Sequence, residues 1–218
     1  MRLFSSMRPS RTPRALVMSL AVGATLLLNA RPTTAQDPIF KLDLASRNVL
    51  DVVIDSAMAA GLPSKSIYSR ALEGIAKKVD NRRIVDAVRR RLVSLRTARA
   101  RLGEVSDDEL EAAAAVLEAG AKPEELERFR ARRQARTELE AFTVWADFLA
   151  RGISKDEAFS AINKLWQDGA DDATFHSLWN NVQSDILQGL SPGLALQNRI
   201  REGPQRTPTT TGKPPEGT

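Results

Sequence analysis

Apolar residues return along this chain at helical intervals. Between 172 and 188, Phe175, Leu178, Trp179, Val182 and Ile186 fall on one stripe of a helix. Ala158, Ile162, Leu165 and Trp166 repeat the pattern over 155–168, and Leu139, Phe142, Trp145, Ala146 and Leu149 repeat it over 138–151. Over 81–102, Ile84, Val88, Leu92 and Leu95 form a stripe among arginines, opened by Asp80 as an N-cap. No segment shows the period-two alternation of a half-buried strand. The pattern predicts nine helices, at about 43–60, 63–78, 81–102, 107–119, 123–134, 138–151, 155–168, 172–188 and 192–201. The fold class that follows is all-α: an array or bundle of short helices, a short α-solenoid or a compact bundle.

The joints between stripes are written alike. "AGLPSKSI" (60–67), "AGAKPEEL" (119–126), "RGISKDEAF" (151–159), "DGADDATF" (168–175) and "QGLSPGLA" (188–195) each set a glycine, an apolar residue and a capping or proline residue before the next stripe. Glycine tolerates the left-handed conformation that ends a helix. Ser or Asp then accepts from a free backbone N–H of the next helix. "SDDE" (106–109), "SKDE" (154–157) and "TELE" (137–140) fit the capping box. Pro63, Pro123 and Pro192 suit a first helical turn, where no N–H is needed. Leu62, Ala121, Ile153, Ala170 and Leu190 are positioned to pack back on the adjoining helix. Starts at 62, 79, 105, 121, 153, 170 and 190 give a recurring spacing near 17 with irregular wider gaps. That spacing carries no signature of a named helical repeat.

The first residues change the picture of charge and location. Arg2, Arg8, Arg11 and Arg14 precede "ALVMSLAVGATLLL" (15–28), an uncharged and mostly apolar run, and Thr33 and Ala35 stand where a signal peptidase reads small residues. The run is shorter than the roughly 20 residues a membrane-spanning helix needs. The expectation is a signal peptide at 1–35, cleaved after Ala35, and a periplasmic or extracellular protein; an uncleaved leader would make it membrane-anchored. A linker at 36–42, a helical domain at 43–202 and a disordered Pro/Thr-rich tail at 203–218 complete the expected organisation. Of the 218 residues, 32 are Lys or Arg and 27 Asp or Glu, a formal charge of +5. Five of the arginines and none of the acids lie before residue 36, so the remainder is nearly neutral. A global basic balance therefore gives no argument for nucleic acid. The chain has no cysteine, which excludes disulfides, a thiol nucleophile and a cysteine zinc site.

Chemistry-bearing motifs are few. His176 is the single histidine and has no second His or Cys to complete a metal or catalytic set. Asp168, Asp171 and Asp172 surround a glycine, yet a Ca²⁺ loop needs alternate oxygen ligands and a closing glutamate; helix end and N-cap account for all three. No glycine-rich phosphate loop, G-x-S-x-G or Glu-Ser pair is present. Cofactors and metal ligands are not expected. Charge is segregated instead: Arg70, Lys77, Lys78, Arg82, Arg83, Arg89, Arg90, Arg91, Arg96, Arg99 and Arg101 are followed by an acidic block from Glu104 to Glu127. These blocks either neighbour one another in the fold or present a basic ridge to an anionic partner, with Arg82, Arg89 and Arg96 on one side of their helix. No aromatic residue lies between 70 and 101 to stack on bases. Trp145, Trp166 and Trp179 are either core anchors or the lining of a groove.

The run "AGLPSKSIYSRALEGIAKKVDNRRIVDAVRRR" (60–91), with "ARGISKDEA" (150–158), resembles exported all-helical bacterial proteins that carry no assigned activity. The resemblance spans roughly 50–190. It implies fold and location, and it transfers no functional residue. The expected role is an exported helical interaction or scaffold module without catalytic activity, whose partner is another protein or a cell-envelope component. A membrane-surface or polyanion binder using 70–101 is the alternative, and an exported carboxylate-dependent hydrolase acting on cell-wall material is the second.

Overall fold

The structure is a computed structural model that describes residues 37–130 and 138–203. Nine α-helices occupy them: α1 (Leu44–Ala59), α2 (Ser64–Ala76), α3 (Asn81–Leu102), α4 (Asp107–Glu118), α5 (Pro123–Arg130), α6 (Leu139–Ala150), α7 (Lys155–Gln167), α8 (Asp172–Leu187) and α9 (Pro192–Glu202). Among the described residues there is no strand. The fold is all-α, as the stripes predict. The leader at 1–35, Thr137 of the third capping box and the tail beyond Gly203 lie outside the described residues.

Six helices end in the same way. Gly61, Lys78, Gly120, Gly152, Gly169 and Gly189 all have positive φ. The following residue donates its N–H five positions back, from Leu62 to Ala57, Val79 to Gly74, Ala121 to Val116, Ile153 to Phe148, Ala170 to Leu165 and Leu190 to Asp185. This Schellman closure satisfies carbonyls that the helix leaves open. Leu62, Ala121 and Ile153 are buried, so each reversal also tucks an apolar side chain into the core. Serine or aspartate caps then restart the chain. Ser106 and Glu109 form the full capping box on α4, and Asp80, Ser154 and Asp171 cap α3, α7 and α8 through their side chains.

Packing follows a rule of near neighbours. α1, α3, α5, α7 and α9 stack in one layer, each on the next. α4, α6 and α8 stack in a second layer, which α2 extends by leaning on α1 and α3. Hairpin partners such as α3 with α4 and α8 with α9 join the layers. The core runs between them without a break. Where α5, α6 and α7 meet it is aromatic: the Phe129 ring of α5 lies 5.2 Å from Phe142 and 5.7 Å from Trp145 on α6, and 5.6 Å from Trp166 on α7. Trp145 and Trp166 are therefore core anchors and present no ring face to a ligand, unlike the groove aromatics considered from sequence.

One stretch differs from the sequence reading. Residues 37–42, expected as part of a linker, form a 3-10 turn at Pro38–Lys41 packed on α2. The Tyr68 hydroxyl donates to the Asp37 carboxylate at 2.6 Å, and Leu42 is buried. A four-residue turn leaves no helical period to read, so the sequence pattern is silent there.

Among the described residues, Lys78 is the one other than glycine with positive φ, at 54°. An L side chain there costs roughly 1–2 kcal/mol. Lys78→Gly should therefore raise stability by up to about 1 kcal/mol, whereas Gly152→Ala, at φ 82° with open space around it, should lower it by about as much. Urea denaturation midpoints check both; equal midpoints would show that the turns do not control stability.

Candidate polar groove

α2 and α4 both rest on α3, and between them and α6 a groove of about 720 Å³ opens. Its floor includes Ala115 of α4 and Ala146 of α6, with the exposed Ala119, just past α4, and Ala150 of α6 at its rim. The run of four alanines at 112–115 keeps α4 thin all round, which lets α6 approach. The walls are charged. Glu73 comes from α2, Asp108, Glu111 and Glu118 from α4, and Asp147 from α6; Lys65, Arg70 and Arg91 are the cations.

The cations at the α3 side are already engaged. Glu118 accepts from Arg70 Nη2 at 2.5 Å and from Arg91 Nη1 at 3.4 Å. Arg91 Nε also donates to Ser66 Oγ at 3.3 Å. The Arg91 and Glu118 side chains are only 12% and 14% exposed, so this bridge is more strongly coupled than a surface pair. Arg70 and Glu118 also line a shallow cleft on the other side, so the bridge is the wall between two depressions.

The remaining carboxylates are less compensated. Asp108, Glu111 and Asp147 have no side-chain hydrogen bond or ion pair among the described residues. Burial lifts the Glu111 carboxyl above the ordinary glutamate value; Arg91 and Lys65 offset it in part, and Asp108 and Asp107 add to it. Glu109, two residues away, behaves oppositely. Burial works against its charge, but N–H donors of Glu138 and Ser106 and the Ser106 hydroxyl outweigh burial and hold its carboxyl low. Glu109 thereby ties the start of α4 to the start of α6.

The residues singled out from sequence lie elsewhere. Arg82, Arg89 and Arg96 are exposed on the outward face of α3. Arg96 donates to Ser56 Oγ of α1 at 2.7 Å, while the guanidinium groups of Arg82 and Arg89 have no partner among the described residues. The structure divides the basic block by helix face. Arg70, Arg91 and Arg101 meet acids of α4 and α5, with Arg101 bridging Glu124 and Glu127; Arg82, Arg83, Arg89, Arg90 and Arg96 turn away. Trp179 is half-buried beneath Arg151, whose guanidinium carbon is 5.6 Å from the ring centroid. His176 is exposed, stacks beside Trp179 and approaches Glu140 at 3.4 Å. Asp171 caps α8 and Asp168 pairs with Lys164.

Sequence periodicity missed the groove residues, although one signal was present. Arg91 sits inside the apolar arc of α3, between Val88 and Leu95, where an arginine must find a buried partner. Compared with protein-family models, curated proteins and solved structures, the chain matches none of them.

Glu111 and Glu109 should give opposite pH effects. Glu111 holds its proton more tightly folded than unfolded. Its stabilising contribution is full below the unfolded value near 4.5 and is lost as pH rises through the raised folded value. Glu109 contributes fully above that value, and its contribution is lost as pH falls through the lowered folded value. Glu111→Gln should raise Tm at pH 7, with the gain fading near pH 4. Glu109→Gln should lower Tm at pH 7 by an amount equivalent to about 1–2 kcal/mol. Thermal melts across that range check both; a Glu111→Gln protein less stable at pH 7 would show that the carboxylate is well compensated.

Proposed function

We propose that this protein is a non-catalytic helical docking module and that the groove bounded by α2, α3, α4 and α6 receives an extended segment of a partner protein or cell-envelope component. The observation that carries the reading is the imbalance inside the groove. Arg70 and Arg91 are held by Glu118, whereas Asp108, Glu111 and Asp147 have no such partner among the described residues. A segment bearing lysine or arginine among small side chains complements those walls and the alanine floor. The volume suits a few residues of such a segment. A second reading rests on the same place. Carboxylates from three helices share one groove, and Glu111 is shifted upward, as the general acid of a hydrolase requires.

Peptides selected by display against the full chain provide the test. Ala115→Trp, which fills the floor, should abolish their binding, and Glu111→Gln with Asp147→Asn should weaken it about fivefold to tenfold. Selected peptides that bind the filled variant unchanged would overturn the docking reading. Release of soluble fragments from cell-wall material by the native chain, lost in Glu111→Gln, would favour the hydrolase.

The location belongs to the same proposal. The leader pattern at 1–35 supports export, and no helix among the described residues is long and apolar enough to cross a membrane. Protein recovered from the extracytoplasmic fraction should have an intact mass that begins at Gln36. Recovery only with membranes, with the leader retained, would replace export and cleavage with anchoring.

A further inference from the structure

We infer that the outward face of α3 docks on an anionic lipid bilayer, its arginines meeting headgroup phosphates while Val93 enters the interfacial layer. The surface is separate from the groove: Arg91 faces the groove, and the five arginines argued here do not line it. Arg82, Arg89 and Arg96 recur every seven residues, and Arg83 and Arg90 repeat the interval beside them. At 1.5 Å per residue the row is about 21 Å long. All five side chains are exposed. None makes an ion pair with a described residue, although Arg91, Arg99 and Arg101 of the same helix do. Asp86 is the one acid within the row. Arg89 and Arg90 also border the shallow cleft of about 510 Å³ beside Val93 and Leu117.

Three features select a bilayer among anionic partners. Val93 stands in the middle of the row and is 60% exposed. An apolar side chain gains by leaving water for a headgroup boundary and gains little against a hydrated polyanion. The Arg96–Ser56 bond aligns α1 beside the row, and Val52, one turn before Ser56, is 67% exposed. The exposed Asp51 and Asp55 lie about 100–140° around α1 from Ser56, beyond Val52, so Val52 is nearer the row than either acid. Finally, no aromatic residue lies on α3 to stack on bases, and a straight row on one helix suits a flat surface.

The absence of cysteine makes a position-specific test direct. In the full chain, Val93→Cys carries an environment-sensitive fluorophore; Asn180→Cys, exposed on α8 in the other layer, is the control. Vesicles of equal parts phosphatidylglycerol and phosphatidylcholine should shift the Val93 label to the blue, an effect that added salt removes. Pure phosphatidylcholine should not shift it, and the Asn180 label should stay unmoved. Arg82→Gln, Arg89→Gln and Arg96→Gln together should weaken vesicle binding about a hundredfold, with the helical dichroism and Tm retained. No shift at Val93, an equal shift at Asn180, or an unchanged shift in the triple variant would each overturn the inference. A shift with heparin or duplex DNA and none with vesicles would overturn it in favour of a soluble polyanion.

Discussion

After six of its helices the chain must enter the left-handed region before it can reverse. That single backbone requirement organises the rest of the molecule. Each left-handed residue lets the next N–H reach back five positions, close the helix and place an apolar side chain against it. The following cap then has the geometry to start a new helix. Five of the six positions use glycine, for which the conformation costs least. The sixth, Lys78, shows that the geometry is imposed even where the residue resists it. With these six reversals alike, the helices fall into two layers.

On this frame α3 is the busiest element. It packs on α1, α2, α4 and α5. Its apolar arc, Ile84, Val88, Leu92, Leu95 and Ala98, faces the core. Arg91 lies inside that arc and Arg101 beside it, and both neutralise acids of the neighbouring helices. The remaining arc is solvent-facing and cationic. The basic and acidic blocks are therefore one internal electrostatic joint together with a surplus on the outside. Long arginine stems serve both arcs, since they cover apolar surface near the backbone and carry charge to its rim.

Helix number, helix type and most joints were legible in the sequence because each is local. A stripe of Phe175, Leu178 and Val182 needs no knowledge of its partner, and the Asp80 and Ser106 caps act within their own turns. The turn over 37–42 was not legible, since its order comes from a bond between Asp37 and Tyr68, 31 residues apart. The groove was not legible for the same reason. Glu111, Glu118 and Asp147 become neighbours only after α4 packs on α6 and leans on α3. The tryptophans illustrate an ambiguity of periodicity: a stripe shows that Trp145, Trp166 and Trp179 face protein, but not how deeply. The structure buries the first two and leaves the third near the edge under Arg151.

The near-neighbour packing also sets how the chain can fold. Every principal helix contact joins elements one or two apart in order, so few loops must close over long stretches of sequence before contacts form. Chains of low contact order fold quickly and can nucleate at more than one place, each completed hairpin offering a template for the next. Loss of structure should run the other way, fraying inward from the terminal helices while the aromatic centre at Phe129 persists. For a polypeptide without disulfides, this speed limits the time that unpaired apolar stripes spend open to aggregation.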